Sequence, residues 1–279
     1  EFRAELANGR GPVSLGNEIG KVRIVFKYGY DSGLIDRPVR YGPGFDKPSR
    51  KTLRKARHER GKRMFEPNEL NTILDVLAGD AITLPSIADK GRRVAIKPNP
   101  VLKAMVLLGI NCGFGQTDLA NLPKSALNLD SGWCEFPRPK TGVERRCPLW
   151  PETVEAVRVA LQLRSKPKDP TDDDLCFITR YGNRWGRTTA KGAACDPVAQ
   201  KFRKVLNALE ITGHRCFYAL RHTFRTVADR SKDQPAIDHI MGHSRPDMAS
   251  LYREGIDDDR LEDVVAVVHA WLWPDAANA

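Results

Sequence analysis

The chain has 279 residues, 45 Lys and Arg against 35 Asp and Glu, a formal net charge of +10, and 41% hydrophobic residues. That is enough apolar material for one large or two modest cores, and too much for a wholly disordered chain. There is no run of eighteen apolar residues and no signal-peptide pattern at the amino end, so neither a membrane-spanning nor a secreted protein is expected. Cys112, Cys134, Cys147, Cys176, Cys195 and Cys216 never form a C-x-x-C pair and read as reduced core residues of a cytoplasmic protein.

The charge is uneven. Residues 1–63 hold 16 basic and 7 acidic residues, a net +9, and the remainder nets only +1. In this first part, residues 15–35 place Ile19, Val22, Val25, Phe26, Tyr30 and Leu34 at near-helical spacing, with Gly33 as an exit. Residues 36–49 are rich in Pro and Gly and predict a structured loop. Next comes RKTLRKARHERGKR, with Arg50, Lys51, Arg54, Lys55, Arg57, Arg60, Lys62 and Arg63 against Glu59 alone. A polyanion suits such a run, because each neutralised phosphate releases a condensed counterion; a solvated helix face would carry the same composition. Residues 1–60 are therefore expected to be a small basic module with a linker, and residues 61–279 a second domain.

In that domain, Pro67 and Glu69 start a helix bearing Leu70, Ile73, Leu74 and Leu77. Residues 100–110 predict an apolar helix, followed by a turn with Gly113 and Gly115 and a new helix capped near Thr117. Residues 126–149 predict a small antiparallel sheet with Lys140 at or near a hairpin tip. Helices resume at Pro151, separated by polar loops at 164–174 and 180–197, so the fold class is mainly α with a small antiparallel β-sheet. The last segment carries Leu261, Val264, Val265, Val268, Trp271 and Leu272 on one helical stripe, suited either to closing the core or to docking on a neighbouring copy.

Late in the chain stand Arg221 in ALRHTF, Gly242-His243 in IMGHS, and Tyr252 nine residues after His243. With Lys140 they make a set of nucleophile, fixed planar cation, imidazole and mobile ammonium, which transesterification at a phosphodiester requires. His239 and His243, four apart, would share a helix face and could begin a metal site, but no third ligand has suitable spacing. No phosphate-binding G-x-x-x-x-G-K-[ST] loop is present, and no cofactor is expected.

On these motifs, and on KTGVERRCPL as a lysine-bearing hairpin, the chain resembles the tyrosine recombinases, or phage integrase family. The resemblance implies a catalytic domain after about residue 61 and the end of a core-binding domain before it. It implies that Tyr252 forms a 3′-phosphotyrosine, that Arg221 and His243 hold the scissile phosphate, and that Lys140 protonates the leaving oxygen. It also implies double-stranded DNA as partner and a tetramer on paired sites, its terminal helix passed between protomers. Two positions depart from the pattern: Gly115 stands where the family usually has an arginine, and Tyr218 where it usually has a histidine. Arg225, Arg145 or Arg146 could fill the gap, the amides of the 113–117 turn could bind phosphate directly, or the site could be impaired in a DNA-binding accessory protein.

Overall fold

The computed structural model describes residues 1–79, 82–85, 93–188, 194–213, 215–243 and 255–274. By internal packing the chain divides into two units, Glu1–Lys62 and Arg63–Ala279.

In the first unit, α1 (Phe2–Ala7) precedes α2 (Pro12–Asp31), whose proline at the first position has the φ a helix start needs. Leu15, Ile19 and Phe45 are the buried residues of a small core, against which Val22 packs. The rest of the expected stripe, Val25, Phe26, Tyr30 and Leu34, is exposed, because so small a core has nothing to set against it. The loop at 36–49 contains one 3-10 turn, Pro43–Phe45, and Phe45 stacks on Phe2 and Tyr41. The basic run is not an extended linker. Most of it is α3 (Arg50–Glu59), capped by the Ser49 hydroxyl, which accepts from the Thr52 N–H. Arg50, Lys51, Arg54, Lys55 and Arg57 are exposed on α3; Arg60 and Lys62 follow, and Arg63 opens the second unit. Among the described residues, Lys55 alone of these has a carboxylate within ion-pair reach, Glu59 at 3.9 Å.

The second unit begins with α4 (Pro67–Ala78), where the Glu66 N–H donates to Glu69 Oε2 at 2.9 Å in a capping box. An antiparallel pair, β1 (Ile82–Pro85) and β2 (Arg93–Ile96), follows and was not foreseen. Helix α5 (Pro100–Asn111) is buried from Ala104 to Asn111 and forms the centre of the domain. It is followed by α6 (Gln116–Ala120) and a three-stranded sheet of β3 (Leu127–Asn128), β4 (Trp133–Glu135) and β5 (Arg146–Pro148). The register pairs Leu127 with Cys134, and Glu135 with Arg146. Helix α7 (Pro151–Gln162), the short pair β6 (Arg187–Thr188) and β7 (Ala194–Cys195), and α8 (Pro197–Ala208) lead to the helices that carry the site. These are α9 (Ala219–Ala228) and α10 (Gln234–Met241), and α11 (Asp258–Leu272) ends the domain. At Gly109 α5 and α9 come so close that a Cβ would lie 2.8 Å from Leu220 Cδ1.

The α11 stripe packs inward. Leu261, Val264, Val265, Val268 and Leu272 are buried in this chain's own core, and Trp271 is partly covered. Trp150 Nε1 donates to the Val265 carbonyl and Asn71 Nδ2 to that of Leu272, pinning the helix along its length. The cysteines are free, and four of them, Cys112, Cys134, Cys147 and Cys176, are buried. Cys195 is half-buried and Cys216 exposed, because both lie in segments leading into helices and not within the core. Among the described residues, no helix is long and apolar enough to cross a membrane.

The turn after α5 is set by Gly113, at φ +62°, where a Cβ would lie 2.9 Å from Phe224 Cδ1. Left-handed backbone alone costs an L-residue about 1–2 kcal/mol, and the ring would also have to shift. Gly113→Ala should therefore lower the thermal midpoint by roughly 2–8 °C in a scanning melt; an unchanged midpoint contradicts both reasons.

Candidate active site

Arg221 lies one turn into α9, and its side chain crosses to two other segments. Nη1 donates to the Gly113 carbonyl at 2.7 Å, and Nη2 donates to the Met241 carbonyl at 2.7 Å and meets His243 Nε2 at 2.9 Å. The residue is 3% exposed. A guanidinium has only donors, so His243 Nε2 accepts in this pairing. Its proton then resides on Nδ1, which donates to Asp238 Oδ1 at 3.3 Å. Gly242, at φ +64°, ends α10 in the left-handed region, and the His243 N–H returns to the Asp238 carbonyl. His243 therefore lies beyond the helix and shares no helix face with His239, contrary to the spacing argument for a metal pair. Among the described residues no group of three His, Cys, Asp or Glu is placed to hold a metal ion.

The two unusual positions turn out to be in contact. Gly115, not Thr117, caps α6, and its N–H donates to Asp118 Oδ2 at 2.8 Å. A Cβ on Gly115 would lie 3.3 Å from both Cδ2 and Cε2 of Tyr218. The tyrosine ring fills the space through which a longer side chain at 115 would leave the backbone, and it meets His222 edge-on at 5.4 Å.

Three further groups complete the cluster. Asp118 Oδ1 accepts from Arg145 Nη2 at 3.2 Å, and Arg145 Nε donates to the Phe136 carbonyl at 2.8 Å. The Arg145 guanidinium lies 4.4 Å from the Phe114 ring centroid and 5.3 Å from that of Phe136. Arg138 Nη1 donates to the Gly242 carbonyl at 3.3 Å. A Cβ on Gly242 would come within 2.6 Å of Arg145 Cδ and 2.9 Å of Arg138 Cβ, so only glycine lets this hairpin approach the His243 turn. The other arginines considered for the gap are committed elsewhere. Arg225 pairs with Asp229 and Gln234, and Arg146 pairs with Glu135 and Asp258 and stacks on Trp133.

Lys140 sits at the exposed hairpin turn, where the Arg138 carbonyl accepts from the Thr141 and Gly142 N–H groups. Among the described residues its ammonium has no hydrogen-bond or ion-pair partner. Tyr252 lies outside the described residues. Asp118, Asp238 and Arg138 were not singled out from the sequence. Asp118 could have been found as an acid at the third position of a helix that lacks a side-chain cap, whereas nothing local marks the other two.

Burial, and next the Arg138 guanidinium, pull Arg221 down from the ordinary arginine range, with Tyr218 and Asp118 opposing. Arginine starts so high that it remains charged. Burial and then Arg221 likewise push His243 below the usual imidazole value, against the pull of Asp238. Burial does the same to His222 and His239. In the folded protein these imidazoles bind protons only below the unfolded value of about 6.5, so the unfolded chain takes up more protons in the window just beneath it. Stability should fall as pH drops from about 6.5 toward the depressed folded values, and His243→Gln should make that fall shallower. Denaturant midpoints measured from pH 7.5 to 5.5 check this, and identical slopes for the two proteins would show that His243 titrates normally.

A model of the family described as phage integrase matches residues 86–257. No curated protein sequence matches. Among solved structures, the chain is similar to the Tn1549 transposon integrase in complex with transposon right end DNA, with a TM-score of 0.59 at 15% identity, covering 91% of this chain and 79% of that one. It is similar as well to a lambda integrase dimer bound to a COC′ core site, with a TM-score of 0.54 at 15% identity, covering 88% and 62%. At such identities the structural likeness speaks to the fold. The family match spans well over half of the sequence and includes Lys140, Arg221, His243 and Tyr252, and the chain belongs to the phage integrase family of tyrosine recombinases.

Proposed function

We propose that this protein is a site-specific DNA recombinase that cuts and rejoins strands through a 3′-phosphotyrosine, with Tyr252 as nucleophile. The observation that best supports the reading is the Arg221 and His243 pair, a fixed guanidinium 2.9 Å from an imidazole, on a domain whose hairpin holds an exposed lysine. In the reaction the Tyr252 oxygen bonds to phosphorus and gives up its proton to solvent as the bond to the 5′ oxygen breaks, and Lys140 protonates that leaving oxygen. Arg221 and His243 hold the non-bridging oxygens. An arriving phosphodiester puts negative charge on one side of His243 while Asp238 remains on the other, which favours the imidazolium, a donor at both nitrogens. Tyr218, in the usual histidine position, lines the same turn.

Double-stranded DNA is the partner this reading requires. The Tn1549 integrase was solved with transposon right end DNA and the lambda integrase as a dimer on a core site, which supports DNA binding and more than one protomer here. The first unit fits a core-binding module whose α3 lays its cations along the backbone. A tetramer on paired sites fits the family, and any exchange of α11 would have each copy's stripe filling the slot that Leu261 to Leu272 occupy in this chain. A cytoplasmic location is in keeping with free thiols and a DNA substrate.

A nicked suicide substrate tests the chemistry. Wild-type protein should form a covalent adduct with DNA, and Tyr252→Phe should form none. Tight binding without any adduct would leave the second reading, a DNA-binding accessory factor that Gly115 has deprived of catalysis. For α3, replacing Arg54, Lys55 and Arg57 together by glutamine should weaken binding and flatten the slope of log K against log salt by roughly 2.7, the worth of three phosphates. An unchanged slope removes α3 from the DNA interface.

A further inference from the structure

We propose that Arg138 supplies the second guanidinium to the scissile phosphate, in the place left empty by Gly115. The inference rests on the recombinase reading above and concerns how that site is completed. Position 115 offers no side chain, and the Tyr218 ring stands 3.3 Å from where one would begin, so a longer residue there would have to displace the ring. The missing charge has to enter from another segment, and the hairpin brings it.

Arg138 and Arg221 hold consecutive carbonyls of one turn. Arg221 donates to Met241 and Arg138 to Gly242, so their guanidiniums flank the backbone that presents His243. Arg138 is also the charge that acts most strongly on Arg221. Arg145, the third guanidinium of the cluster, is paired with Asp118, while Arg138 and Arg221 both donate to backbone carbonyls and Asp238 lies behind the imidazole. Among the described residues neither Arg138 nor Arg221 faces a carboxylate at hydrogen-bond distance, and a phosphodiester carries the charge that would pair with them.

The division of labour between the two hairpin arginines follows from their surroundings. The Arg145 side chain is 1% exposed, bonded to Asp118 and the Phe136 carbonyl and enclosed by Phe114 and Phe136. It positions the hairpin and cannot leave. Arg138 is only half-buried, and among the described residues its side chain has no carboxylate partner and makes one hydrogen bond, a long one of 3.3 Å to a carbonyl. Its remaining N–H donors are unspent, and exchange of a neutral acceptor for a phosphate oxygen gives a bond roughly twice as strong.

The test measures single-turnover adduct formation on two nicked substrates, one with the natural scissile phosphate and one with a neutral methylphosphonate there. Arg138→Ala should slow adduct formation on the phosphate by about a hundredfold to a thousandfold, with DNA affinity little changed. On the methylphosphonate, which has no charge for Arg138 to balance, the variant should match wild type. Arg138→Lys, which keeps the charge and the packing stem against Gly242, should recover part of the rate. Equal rates for wild type and Arg138→Ala on the phosphate would overturn the proposal while leaving the recombinase reading intact. Equal losses on both substrates would reduce Arg138 to a structural role and overturn it too. A wild-type protein silent on both substrates would instead bring down the recombinase reading itself.

Discussion

A guanidinium that cannot shed its proton is buried at the centre of the catalytic domain, and its three acceptors belong to three separate stretches of chain. Gly113 closes the turn after α5, Met241 ends α10, and His243 follows the left-handed cap at Gly242. Burying a charge among neutral acceptors is unfavourable unless each acceptor is fixed. Much of the surrounding order serves that end. Phe224 packs against Gly113, Asp238 orients the imidazole, and Gly109 lets α9 lie close enough on α5 for the side chain to reach across.

Around this charge, the two unusual residues form one steric unit. A flat ring at 218 and a bare backbone at 115 fit each other, and a side chain restored at 115 alone would press on the ring. Asp118 takes part in the exchange, since it accepts both from the Gly115 N–H and from Arg145. Positive charge is therefore delivered to the cluster from the sheet and not from the helix start, since Arg138 and Arg145 of the hairpin between β4 and β5 reach Gly242 and Asp118.

Long, strongly patterned elements were legible in the sequence. α5 is apolar on nearly every side and is buried on nearly every side, and Pro67 with Glu69 marks the start of α4. The pairing of Arg221 with His243 was legible through motif spacing, although the helix face proposed for His239 and His243 ignored the glycine that stops α10. Less was visible where tertiary context decides. The α2 stripe reads as one helix with few partners, and only Leu15 and Ile19 of that helix are buried, but which of its apolar residues would be covered depends on the small core around Phe45. Arg138 lies two residues before Lys140 in a hairpin, and only the fold shows that this brings it against Gly242, 104 residues further along the chain.

Asn111, at the end of α5, is fully buried and bridges to the strand beside it: Nδ2 donates to the Pro148 carbonyl and Oδ1 accepts from the Trp150 N–H. This clamp fastens the base of β5 to the central helix, and Phe136 and Arg138 extend the ladder outward to Arg145 and Val143. The turn at 139–142 closes on the Arg138 carbonyl just beyond that ladder, so the lysine is carried like the tip of a short arm whose base is fastened to the central helix.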